Sequence, residues 1–159
     1  MSPAAVPVVG SLAPDFTART QHGEPVRLSD LRGRRPVVVV FYPYAFSRVC
    51  TSELGALRDR PDLLAAAEFL AVSCDPMFTL RAYAEAERLE FALLSDFWPH
   101  GAIASSYGVF DADRGCALRG TFVIDPDGVV RWSVVNPNAD ARDPDDYARA
   151  LAELGCGLG

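Results

Sequence analysis

Lysine is absent from this chain of 159 residues, and all 15 basic residues are arginine. That removes a lysine-tipped phosphate loop and a Schiff-base lysine from the possible chemistries. A basic block is also missing, and the formal net charge is −6. Nucleic acid and anionic membrane surfaces are therefore not expected partners. No apolar run approaches the roughly 18 residues that a membrane span needs. The opening "MSPAAVPVVGSLAPDF" has no basic segment and is broken by prolines, unlike a secretory signal. These absences predict a cytoplasmic protein in a reducing compartment.

Cysteine and histidine are sparse and scattered. The four cysteines are Cys50, Cys74, Cys116 and Cys156, and the two histidines are His22 and His100. None of the cysteines has the short C-x-x-C spacing of a zinc site or a dithiol motif. A zinc site is not expected from this spacing, and a disulfide framework does not suit a chain of this size and compartment.

What is present is ordinary for a globular protein: 50% hydrophobic and 23% charged residues. The length predicts one domain over residues 1–159, and residues 1–14 read as a partly ordered lead-in. "DFTART" and "VRLSDL" flank the turn-rich "QHGEP" and predict an N-terminal β-hairpin with a short helical turn. "PVVVVFYPY" is a continuous β-branched and aromatic run, the pattern of a strand buried on both faces. Pro43 ends it, because proline donates nothing to a ladder. A helix follows over "TSELGALRDR", then a buried strand in "AAAEFLAVSCD".

Pro76 opens a helix whose apolar face is read as Phe78, Ala82, Tyr83 and Leu89, with Leu80 less well placed. "FALLSD" is a short strand, "FWPHGAIASSYGV" a proline-started short helix, and "DADRG" a turn. Asp125-Pro126-Asp127-Gly128 joins two β-rich runs in the clearest hairpin of the chain. "NPNADARD" reads as a loop, and Pro144 starts a closing helix that Gly155 stops. The order predicts an α/β thioredoxin-like sandwich: a central mixed β-sheet flanked by helices, extended by the N-terminal hairpin and an insertion around 90–107.

One cysteine falls where the central strand turns into a helix. Ser47 is a good N-cap, which puts Cys50 in the first helical turn. A free thiol, with a pKa of about 8.5, is only a few per cent ionised near neutrality. Unpaired N–H groups and the positive end of the helix dipole favour the thiolate, which is the nucleophile. The Ser47 hydroxyl can reach the sulfur, Pro43 can shield it from bulk water, and a nearby guanidinium would stabilise it further. Free cysteines are also common as inert core residues. From the residues alone, the reading stops at an activated thiol with redox chemistry.

Pro43, Ser47 and Cys50 match the Pro-x-x-x-(Thr/Ser)-x-x-Cys signature of peroxiredoxins, and "VSCDP", "LLSD", "YGV" and "RGTFVIDPDG" follow in that family's order. The chain resembles this family over about residues 8–154, most of all the AhpE-type one-cysteine group at "LLSDFWPHGAIASSYGVF" and "RGTFVIDPDGVVR". The resemblance implies a thiol peroxidase without a cofactor. Cys50 would attack a hydroperoxide and become a sulfenic acid. Arg119 would stabilise the thiolate and hold the peroxide oxygens with Ser47, while Pro43 shields and Glu53 orients. Serine stands where threonine is commoner.

A sulfenic acid is resolved by another thiol. Gly55 stands where one subgroup keeps a resolving cysteine. Cys74 ends a buried strand and reads as core. Cys116 is expected to be exposed in its turn, and Cys156 lies in a glycine-rich tail; either is a candidate resolver, though neither sits in a family resolving motif. The favoured reading is an external thiol: a low-molecular-weight thiol, or a glutaredoxin-like or thioredoxin-like protein. Isolated His100 reads as structural. Phe46 and residues 97–100 are expected to face a second subunit in a homodimer. Competing readings are a dithiol reductase, disfavoured by Glu53 where its second cysteine belongs, a peroxide sensor or redox relay, and an inactive scaffold.

Overall fold

The valine run forms the centre of a seven-stranded sheet in the computed structural model, which describes residues 5–136 and 141–155. β1 (Thr17–Arg19) and β2 (Pro25–Arg27) are the N-terminal hairpin, and a 3-10 turn covers Leu28–Leu31. β3 (Val37–Phe41) leads to α1 (Arg48–Arg58), α2 (Pro61–Ala66) and β4 (Glu68–Ser73). Next come α3 (Met77–Glu87), β5 (Ala92–Ser95), α4 (Ala102–Ser106) and a small hairpin of β6 (Phe110–Asp111) and β7 (Cys116–Ala117). β8 (Arg119–Ile124), β9 (Val130–Asn136) and α5 (Pro144–Glu153) close the fold. The sheet order is β2-β1-β5-β4-β3-β8-β9. β3, β4 and β5 run parallel, and β8 is antiparallel to both β3 and β9. This is the mixed α/β sandwich that the order of elements predicts.

Every residue of β3 is buried, and its alternation divides the core into two layers. Val37, Val39 and Phe41 pack with Phe16, Tyr107 and Phe122, under α4 and the N-terminal segment. Val38 and Val40 face Leu57, Leu63, Tyr147 and Leu151 from α1, α2 and α5. A strand with apolar side chains on both faces has no polar side to offer water, so helices cover both. Each such valine contributes about 1.5–3 kcal/mol by its burial.

Several local boundaries differ from the sequence reading. "PDLLAA" is the separate helix α2, and the strand begins only at Glu68. Pro61 presets the first helical φ, and leucines and alanines favour helix, so only the later aromatic and β-branched residues extend. The face of α3 is rotated. Leu80, Tyr83 and Ala84 are buried, whereas Phe78 is 71% exposed and Ala82 is also exposed. The i, i+3, i+4 set that meets the sheet is Leu80-centred. α4 starts after Gly101 rather than at Pro99, because the Asp96 carboxylate accepts the N–H groups of Ile103 and Ala104, both at 2.9 Å. Residues 10–13 are fixed to the β8–β9 hairpin, with Gly10 N–H donating to Val130 at 2.8 Å and Ala13 N–H to Gly128 at 2.9 Å.

Candidate active site

The register between β3 and β8 places the site. Phe41 pairs with Gly120, so Arg119 begins β8 just beyond the C-terminal end of β3, where α1 starts. The turn between β3 and α1 is held from outside: Ala45 N–H donates to Asp75 Oδ2 at 2.8 Å, and Ser73 Oγ donates to the same oxygen at 2.7 Å. Phe46 takes a left-handed φ of 69°, an unusual conformation for a residue with a Cβ. Ser47 is the N-cap of α1, its Oγ accepting from Cys50 N–H at 3.3 Å. Cys50 is therefore the third helical residue, and it is fully buried.

Glu53 follows one turn later on the same helical face. Arg119 Nη1 donates to Cys50 Sγ at 3.3 Å and to Glu53 Oε1 at 2.5 Å. A second guanidinium completes the cluster. Arg142 donates to Glu53 Oε2 from its backbone N–H at 2.7 Å and from Nε at 2.8 Å, and from Nη2 to Oε1 at 3.1 Å. Its Nη1 reaches Gly120 O at 2.8 Å and Thr121 Oγ1 at 3.1 Å. Burial alone would raise the Glu53 carboxyl, but the Arg142 hydrogen bonds and the two positive charges outweigh it and hold it below its ordinary value.

Glu53, Arg119 and Arg142 are all buried, at 7% exposure each, and together carry one net positive charge beside the Cys50 sulfur, which lies 3.3 Å from Arg119.

A cavity of about 200 Å³ opens over this turn, with Pro43, Tyr44, Ser47, Arg48, Cys116 and Arg119 in its wall. Ser47 holds the Cys50 backbone N–H and Arg119 reaches its sulfur, so these two wall residues connect the cavity to Cys50. The structure thus brings together all five residues singled out from sequence: Pro43, Ser47, Cys50, Glu53 and Arg119. Arg142 was missed. It lies in a stretch read only as a loop, one of 15 arginines, with no periodic pattern to mark it. No local sequence signal marks it: its place follows from the β8–β9 register, in which Asn136 pairs with Arg119, so the chain leaving β9 emerges beside the site.

The remaining cysteines correct one expectation. Cys74 is buried, as read, and burial pushes its thiol up to about 12. Cys116 is not exposed: it is 1% accessible, in β7, because the turn itself is residues 112–115 and the strand folds its side chain inward. Cys156 lies outside the described residues. His100 bridges two loops, its ring nitrogens at 3.2 Å from Phe97 O and 2.7 Å from Gly115 O, which fits a structural role. Among the described residues no His/Cys/Asp/Glu group is arranged to hold a metal, and no helix is long and apolar enough to cross a membrane.

Comparison with known proteins points the same way. The model of the AhpC/TSA family matches residues 9–133. Alkyl hydroperoxide reductase E of Mycobacterium tuberculosis is 43% identical over 151 residues, covering 92% of this chain and 97% of the relative. The chloroplastic 2-Cys peroxiredoxin BAS1 of Hordeum vulgare is 37% identical, covering 94% of this chain and 76% of the relative. Among solved structures, peroxidoxin BcpB of M. tuberculosis superposes with a TM-score of 0.80 at 34% identity, covering 94% of this chain and 97% of the other. The reduced 2-Cys peroxiredoxin of Plasmodium vivax gives 0.83 at 31% identity, covering 92% and 96%.

Proposed function

The chain belongs to the AhpC/TSA family of peroxiredoxins and is a thiol-dependent peroxidase, and from that premise we propose that Cys50 is its attacking sulfur. The observation that carries this assignment is the Arg119 guanidinium, 3.3 Å from the sulfur and anchored on Glu53. The thiolate attacks the terminal oxygen of a hydroperoxide. An S–O bond forms, the O–O bond breaks, and the departing alkoxide or hydroxide takes a proton to leave as alcohol or water. Cys50 is left as a sulfenic acid. Arg119 donates to the peroxide as charge moves from sulfur to the leaving oxygen, and its fixed position avoids reorganisation during the step. Ser47 donates to the same oxygens once substrate enters, and Pro43 keeps water from competing. Glu53 and Arg142 act through Arg119 as positioning residues.

Hydrogen peroxide and organic hydroperoxides are the substrates of this reading. An external thiol, of low molecular weight or on a glutaredoxin-like or thioredoxin-like protein, supplies the reducing equivalents. A cytoplasmic setting suits a catalyst that must return to its thiolate. With dithiothreitol as the thiol, wild type should consume both peroxides in repeated turnovers and Cys50→Ser neither. Turnover by the variant at a rate near wild type refutes the assignment.

A homodimer belongs to the same proposal. Phe46 is 54% exposed, Phe97 46% and Trp98 83%, an apolar grouping that favours burial against a second copy. Light scattering at micromolar concentration should give twice the monomer mass, and a monomer alone contradicts it.

A further inference from the structure

We infer that Cys116 is the resolving thiol of this peroxidase, an assignment that rests on Cys50 being the attacking sulfur. Cys116 shares a cavity wall with Pro43, Ser47 and Arg119. Ser47 and Arg119, which contact the Cys50 N–H and the Cys50 sulfur, line the same small space as Cys116, so only these two residues stand between Cys50 and the wall that Cys116 shares.

Tyr44 ties their two segments together. It belongs to the turn that delivers Cys50, and its hydroxyl donates to Arg114 O at 3.2 Å. That carbonyl lies two residues before Cys116. When the first turn of α1 opens, this strap keeps the Cys116 segment beside it.

Both sides can move. Phe46 carries the strained φ of 69° immediately before the N-cap, and the cap bond itself is long at 3.3 Å. On the other side, β6 and β7 pair through only two residues each, so few ladder bonds must break for the Cys116 segment to shift. Cys74 is buried, and burial pushes its thiol up to about 12. It does not compete for the sulfenic acid.

The step balances without a further reagent. The Cys116 sulfur attacks the Cys50 sulfur, an S–S bond forms, the S–O bond breaks, and the hydroxide leaves as water with the thiol proton. An external thiol then reduces the disulfide, two thiol equivalents per bond.

The test is the intact mass, with no added thiol, after one equivalent of hydrogen peroxide, with a sulfenic-acid trap present in parallel. Wild type should lose two hydrogens, remain untrapped, and yield a digest fragment linking the Cys50 and Cys116 peptides. Cys116→Ser should gain one trappable oxygen at Cys50, whereas Cys74→Ser and Cys156→Ser should behave as wild type. A trappable oxygen on wild type overturns the assignment, as does loss of two hydrogens from Cys116→Ser. The linked fragment is read on unaltered protein, so the result does not depend on the variants folding. No mass change on wild type instead refutes the peroxidase role of Cys50, and the inference falls with it.

Discussion

Replacing Glu53 with glutamine should cost this protein about 3–5 kcal/mol of stability, the range for removing one partner from a buried ion pair. The carboxylate is 7% exposed and accepts four bonds from two guanidinium groups and a backbone N–H, at 2.5 to 3.1 Å. Glutamine keeps the shape but loses the charge. Its amide nitrogen must also face a donor, leaving both arginines buried without a counter-charge. Each charge-assisted bond is worth roughly 1.5–3 kcal/mol, and the four are not additive because they share one carboxylate. Against a typical total of about 5–15 kcal/mol the loss is large. Urea denaturation at pH 7 measures it.

The pH dependence gives an independent check. The folded Glu53 carboxyl titrates below its ordinary value of 4.5. Its contribution is therefore complete above that value and fades as pH falls through the lower folded one. The wild-type and Glu53→Gln stability curves should lie apart at neutral pH and converge in acid. A loss under about 1 kcal/mol, set against the buried-pair range, or curves that stay parallel, would refute the reasoning.

Arg119→Met should slow peroxide reduction by about 10²–10³, as for loss of one preorganised donor; single-turnover peroxide consumption reads it, and a near-normal rate contradicts the role. The same variant should cost less stability than Glu53→Gln, because Glu53 and Arg142 remain a balanced pair. Ser47→Ala should cost about 1 kcal/mol by removing the cap of α1, measured by denaturant unfolding, and should also lower the rate. Gly101→Ala should lower the melting temperature, since its Cβ would overlap the Phe110 ring and its φ is 73°; an unchanged melting curve would refute this.

How far the sequence carried the account depends on the range of the signal. The central strand was legible because five consecutive buried residues, Val37–Phe41, satisfy only a two-sided environment. Ser47 and Cys50 were legible because capping is local. Arg119 was identified through the family pattern, and its place follows from the β3–β8 register, which no local pattern specifies. Arg142 depends on two long-range facts, the path of the chain beyond β9 and the position of Glu53. The inward turn of Cys116 depends on a two-residue strand, too short to leave a periodic trace. Phe78 shows the limit of hydrophobicity as a guide: it is apolar, yet α3 turns Leu80 and Tyr83 to the sheet instead.

The central claim is that one sulfur, Cys50, reduces the peroxide. The most direct measurement is peroxide consumed by fully reduced protein with no added thiol, for wild type and Cys50→Ser. The account predicts that wild type consumes one equivalent and then stops, and that the variant consumes none. Equal consumption by the two, or none by wild type, would contradict it.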